Sequence, residues 1–211
     1  MDYCSDFLAC IKDPLEKYIQ KTLQLDAKFD VYFSMNFDSS WIFLYGFAPA
    51  YFSIVKQSVQ DSLILHLINL IEDKERSDHN LNKFIDKLKI RMTEYDYEAP
   101  ECCRNFIAYL DEQKVKLLTN LKTWRDKLLV HLDNKYFYDS SKLSMDAPLS
   151  FDGLRDIISN LLRHLCGIYS YFFHVTYTTI YNKSDYKNLF LLEQPYKESI
   201  IKYVSQHESD Q

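Results

Sequence analysis

The chain has 211 residues, a net charge of −5, and only 3 glycines and 5 prolines. So few turn-forming residues argue against a hairpin-rich fold, and the heavy use of Leu, Lys, Glu, Asp, Tyr and Phe fits long helices instead. The acidic balance excludes a general electrostatic pull toward nucleic acid, so any such role needs a local basic patch.

The N-terminus, MDYCSDFLAC, has neither the basic start nor the apolar run of a signal peptide. A first helical pattern covers roughly Ser5–Tyr32, with Pro14 as a point of interruption. Asp38, Ser39 or Ser40 then supplies a cap for a long second helix reaching about Glu72. It begins with WIFLYGFAPAYFSIV (Trp41–Val55), too short for a membrane span and read as a buried helix bent at Pro49. Its later half is amphipathic, with Val59, Leu63, Leu67, Leu70 and Ile71 on one side. Gln57, Asp61, Asn69 and Glu72 lie on the polar side.

Ser77 or Asp78 caps a short helix, Leu81–Met92, with Phe84, Ile85 and Leu88 inward. Pro100 suits the first turn of the next helix, which runs from Glu101 to about Asp133. NKYFYDSSKLSMDAP reads as a polar and aromatic loop, after which Ser150 caps a last long helix to about Tyr181. Leu154, Ile157, Ile158, Leu161, Leu162, Leu165, Ile168 and Phe172 give that helix an unbroken stripe. A short helix near Glu193–Val204 and a polar tail follow. The expected fold is all-α, an up-and-down bundle of about five to six helices forming a single domain over residues 1–211.

The five cysteines (Cys4, Cys10, Cys102, Cys103, Cys166) are odd in number and lack zinc-ligand spacing. Cys102 and Cys103, as neighbours, do not form an ordinary disulfide. Reduced, mostly buried thiols in a cytoplasmic protein are expected. No H-x3-H or H-E-x-x-H pattern suggests a metal, and no glycine-rich loop or G-x-S-x-G elbow is present, so no cofactor is expected.

Chemistry concentrates in TWRDKLLVHLD, Thr123–Asp133. On a helical wheel Leu118, Leu121, Leu128, Leu129 and Leu132 fall within about 60° of Arg125, so an arginine sits inside an apolar stripe. That placement is costly unless an anion meets it, either a carboxylate of the chain or an arriving phosphate. His131 lies about 9 Å along the axis and on another side, so one helix does not aim both groups at one atom. Two copies across a two-fold axis would line one cleft with both pairs. His131 then suits proton transfer near neutral pH, and Arg125 suits a forked grip on a phosphate. On RNA the nucleophile would be the substrate's own 2′-OH. The plainer reading makes Arg125 a salt-bridge partner of Asp61 or Asp73 and His131 an ordinary border histidine. Lys122, Lys127 and Lys135 flank the motif and supply either the basic patch or a solvated helix face.

WRDKLLVHLD resembles the R-x(4–6)-H signature of the HEPN superfamily, small α-helical proteins of which many are ribonucleases. The HLD ending, Gln60–Leu88 and Ala147–Leu165 are similar to its AbiU-like abortive-infection branch. The likeness spans about Gln60–Phe173, and the first 59 residues agree only in helical character. The resemblance implies an HEPN-like bundle, usually a homodimer, that cleaves RNA without a metal in phage defence or as a toxin. It implies Arg125 as the phosphate-contacting residue, His131 as the proton-transfer residue and Asp126 as a polar helper. Lys122, Lys127 and Asp133 are the candidate substrate contacts beside them. Expected partners are RNA, a second copy and, in the toxin case, an antitoxin; no membrane is expected. Nucleotidyltransferase-paired toxins carry tyrosine two residues after the histidine, where this chain has Asp133, so regulation by modifying that tyrosine is not implied. A non-catalytic helical dimer that binds RNA or a partner protein is the alternative. Of the other histidines, His66 follows Asp61 toward the site, with an interhelical role as the simpler reading; His164 and His174 are expected to be structural, and His79 and His207 lie in polar segments.

Overall fold

The structure, a computed structural model, describes residues 4–72, 80–116, 118–126 and 141–175. Among these it is all-helical, with no strand. Helix α1, Ser5–Phe37, starts beneath Cys4, whose Sγ accepts from the Phe7 amide at 3.4 Å. Sequence spacing ends this helix at Tyr32, but it continues to Phe37 and passes through Pro14 without a break. Ile11 and Leu15 on either side of the proline are buried, and that packing outweighs one missing backbone bond. At the far end Phe33 and Phe37 pack against each other and meet Phe151, with centroids 4.7–6.0 Å apart, which extends the helix.

The predicted long second helix is two helices. Helix α2, Ser39–Phe47, and α3, Pro49–Ile71, separate at Ala48, with Pro49 opening the new helix where its missing N–H costs nothing. Trp41 meets Phe52 edge-on at 5.8 Å and closes the angle between them. The expectation of burial fails here. Ile42, Phe47, Tyr51 and Ile54 are all more than half exposed. A run apolar on every side offers packing no preferred face, and only part of it is covered. The later half of α3 follows the predicted stripe, with Leu63, Leu67, Leu70 and Ile71 buried.

Helix α4, Leu81–Glu94, buries Phe84, Ile85 and Leu88 as predicted. Its cap is neither Ser77 nor Asp78, which lie outside the described residues, but Asn80, whose Oδ1 accepts from the Lys83 amide at 2.9 Å. A left-handed residue, Asp96 at φ 54°, turns the chain after it, and the Tyr97 amide donates back to the Met92 carbonyl at 2.8 Å. This turn folds Tyr95 and Tyr97 over Phe7, at 5.7 and 5.3 Å, and the Cys4 amide donates to the Tyr97 hydroxyl at 2.9 Å.

Helix α5, Glu101–Lys116, follows Pro100, whose carbonyl accepts from the Cys103 and Arg104 amides. Helix α6 is Leu118–Trp124. The segment read as a loop contains a short helix, α7, Ser141–Asp146, held by Leu143 and Ala147 packing under Trp124. Helix α8, Phe151–Phe173, is capped by Ser150, whose Oγ accepts from the Gly153 amide at 3.0 Å. A Cβ on residue 153 would come within 2.9 Å of that oxygen, so the cap needs glycine there. The helix closes at His174, in the left-handed conformation, short of the predicted Tyr181, which is outside the described residues. The helix expected near Glu193–Val204 also lies outside them.

Helices α1 and α8 form the antiparallel spine. Phe7 meets Phe172 at one end and Phe33 meets Phe151 at the other. Midway, the Tyr169 hydroxyl donates to Glu16 at 2.9 Å. Helices α3 and α4 pack on α1, while α5 lies against α8 and α6 against α3. The buried side chains join in one cluster around Leu15, Ile19, Leu25, Leu63, Ile158 and Leu161, each buried aliphatic side chain contributing about 1.5–3 kcal/mol. No helix among the described residues is long and apolar enough to cross a membrane. The thiols are all free, as expected, but Cys103 alone is buried and Cys10 is exposed.

Candidate functional site

Helix α6 presents the motif. Leu118 and Leu121, the stripe neighbours predicted for Arg125, are buried, and they seat this face against α3 and α5. At Arg125 and Asp126 the helical turn widens to a π-turn, a geometry that re-aims side chains and recurs at functional sites. Trp124 fixes the other flank, its Nε1 donating to the Ala147 carbonyl at 2.7 Å.

Arg125 is 18% exposed and already meets an anion. Its Nη1 donates to Glu72 Oε2 at 2.6 Å, and its Nε donates to Asp126 Oδ1 at 2.6 Å. Lys122 reaches the other Glu72 oxygen at 3.2 Å. The hydrogen bond from Arg125 to Asp126 and the charge of Glu72 hold the guanidinium's pKa above its ordinary value, against the opposing effect of burial. Among the described residues, Nη2 is the part of the fork with no protein partner.

Among the described residues the partner is therefore Glu72 and not Asp61. Asp61 accepts from Gln57 at 2.6 Å instead, and Asp73 is outside the described residues. Glu72, read from the sequence as part of the polar side of its helix, is only 6% exposed. It sits at the C-terminal cap of α3, where the chain leaves its helix and the carboxylate turns under α6. Helical periodicity could not signal this, because the last residue of an amphipathic pattern is where the face stops being defined by the helix.

The structure brings together Arg125, Asp126 and Lys122. His131, Lys127 and Asp133 lie outside the described residues, as does Lys135. His66 packs against α1, with Nδ1 3.4 Å from Lys28 Nζ, and burial followed by the charges of Lys28 and Lys21 lowers its pKa. His164 stacks between Phe106 and Tyr109, and burial lowers its pKa too. Beside Trp124 opens a groove of about 600 Å³, lined by Tyr45, Ser53, Lys56, Gln57, Gln60 and Phe151 among others. Among the described residues no group of three or more His, Cys, Asp and Glu side chains could hold a metal ion.

The model of the HEPN_AbiU2 family, described as AbiU2, matches residues 9–189. The match begins well before Gln60 and so takes in α1, which the motif resemblance links only by helical character. No curated protein matches the chain. No solved structure matches it either.

Proposed function

The chain belongs to the HEPN AbiU2 family, an abortive-infection-related HEPN group, and on that premise we propose that it is a metal-independent endoribonuclease of phage-defence or toxin type. The observation that carries the reading is Arg125. It is anchored through Nη1 and Nε at a π-turn, within the family's motif, and among the described residues Nη2 has no partner and would be the edge to meet a phosphate. Anchoring of this kind removes side-chain freedom before substrate arrives, which is what a phosphate clamp requires. Asp126 holds the fork in orientation, and Lys122, Lys127 and Asp133 stand as substrate contacts.

In the proposed reaction the 2′-oxygen bonds to the adjacent phosphorus and the bond from phosphorus to the 5′-oxygen breaks. His131 accepts the 2′-OH proton, and the His131 of a second copy protonates the departing oxygen. Arg125 offsets the charge gathering on the phosphoryl oxygens. The products are a 2′,3′-cyclic phosphate and a 5′-OH end.

The test is RNA incubated in EDTA with wild-type protein, Arg125→Ala and His131→Ala, each checked for folding. Each variant is expected to lose at least ~100-fold in rate. One observation favours a second reading, a non-catalytic dimer binding RNA or a partner protein. Glu72 and Asp126 already satisfy two edges of the guanidinium, as a structural arginine would be satisfied. RNA retained without cleavage by wild type would establish that reading. In the toxin form of the first, growth arrest on expression disappears with His131→Ala and is relieved by an antitoxin.

A further inference from the structure

An acidic chain that handles RNA needs a place where its cations gather; beside the motif Lys122 is engaged by Glu72, and Lys127 and Lys135 lie outside the described residues. Among the described residues a gathering lies elsewhere. Helices α1 and α4 run antiparallel, Tyr18 beside Phe84 at 5.0 Å, and between them is a groove of about 640 Å³. Lys17, Lys21, Lys87 and Arg91 line it against two acids, Asp13 and Glu94. The acids sit with Arg91 toward the Cys10 end, and Arg91 is bound to Glu94 at 2.8 Å. The opposite half holds Lys17, Lys21 and Lys87. Among the described residues neither Lys17 nor Lys87 has an ion-pair partner, and both are exposed. In a chain of net charge −5 this is a segregated patch.

Its geometry suits a strand of phosphates. Lys17 and Lys21 are one turn apart on α1, as are Lys87 and Arg91 on α4, so cations recur about every 6 Å along each wall. That step is close to the one between successive phosphates of an extended nucleic-acid strand. The floor is apolar, made by Ile11, Tyr18, Phe84 and Leu88. The Tyr18 hydroxyl is turned inward to the Asn80 carbonyl at 3.0 Å, so the floor offers no competing acceptor there. The lysine-rich half opens toward the start of α4. Asn82 fastens that start to the end of α3 by donating to the Ile71 carbonyl at 2.7 Å, and the next residue, Glu72, carries Arg125.

We infer that the α1–α4 groove binds the phosphodiester backbone of single-stranded RNA beyond the cleavage site. The choice of RNA as the polyanion rests on the ribonuclease reading above. The groove acts through Lys17, Lys21 and Lys87 as point charges, sequence-independently, and gives the enzyme affinity that the compensated Arg125 cluster does not supply.

The test measures binding without requiring cleavage. A labelled single-stranded oligoribonucleotide of roughly 12 nucleotides is titrated in EDTA by fluorescence anisotropy between about 50 and 200 mM salt, using His131→Ala so that the probe survives. Adding Lys17→Ala, Lys21→Ala and Lys87→Ala is expected to weaken binding at least ~10-fold at low salt and to lower the salt slope by about 2, near 0.7 for each phosphate no longer neutralised. Lys12→Ala with Lys89→Ala, on the same helices but off the groove, is the control and is expected to retain both values. Equal affinity and slope in the triple variant and the control overturn the inference, as does salt-independent or absent binding in the parent. Loss of groove binding with no cleavage by wild type keeps the groove and removes the nuclease. Cleavage by wild type with an unaffected triple variant does the reverse.

Discussion

Arg125 and Lys122 converge on one buried carboxylate, whereas Lys17 and Lys87 face solvent across a groove walled by two helices. The same residue classes thus play different parts. At Glu72 the carboxylate is buried and Arg125 mostly so, and the contacts are directional and fixed, which builds a geometry but adds little net charge to attract a polyanion. In the groove they are hydrated and uncompensated, which attracts but does not orient. A nuclease reading needs both, and the chain places them on either side of the α3–α4 junction.

The largest expected effect breaks the first region. Glu72→Ala leaves Arg125 and Lys122 facing each other with, among the described residues, Asp126 to balance them. Because Glu72 is buried and Arg125 nearly so, thermal unfolding is expected to show a loss of about 3 kcal/mol, or roughly 6–12 °C in Tm. A loss no greater than that of a surface substitution would mean the cluster is not a built site.

Next in size is an acid effect on the face of α3 that meets α1. The fold holds the neutral form of His66, so its pKa in the native state is below the ordinary 6.5 of the unfolded chain. As pH drops below 6.5 the unfolded chain takes up the proton first, and stability falls until the native pKa is passed. The slope is at most about 1.4 kcal/mol per pH unit, and above 6.5 His66 adds no pH dependence. Melts at descending pH should show the decline, and His66→Gln should flatten it, with His164 supplying a remainder of the same sign.

Lys122→Ala is expected to cost under about 1 kcal/mol, since its side chain is 41% exposed and solvent screens the pair. Smallest of all, Lys17→Ala and Lys87→Ala should leave stability within about 0.5 kcal/mol of wild type while changing RNA affinity. A stability change in these two as large as that in Lys122→Ala would erase the distinction between held and open cations.

The α8 stripe is legible in the sequence because a helix with one greasy side has only one way to lie on α1, and Ser150 marks its start. Trp41–Val55 misleads for the opposite reason. With no polar side, the pattern carries no orientation, and Pro49 divides the segment without revealing how much of it is covered. The six-residue α7 escapes sequence reading because a helix that short owes its existence to Leu143 and Ala147 meeting Trp124, a contact between distant segments. At the site, the wheel correctly singles out Arg125 as an arginine that needs an anion. Choosing among Asp61, Glu72 and Asp73 requires knowing where α3 ends to within a residue. The α1–α4 groove is hidden for a related reason. Neither Lys17 nor Lys87 stands out on its own helix, and only their apposition makes a patch.

The turn at Asp96 ties the beginning of the chain to its middle, through the hydrogen bond from the Cys4 amide to the Tyr97 hydroxyl. Closing it joins residues 93 apart, so the entropy of a large loop must be surrendered before this bond gives anything back. Amide exchange at Cys4 therefore times the docking of the α4–α5 corner rather than the winding of α1. Replacing Tyr97 by Phe should free that proton to exchange quickly while the rings stay packed on Phe7.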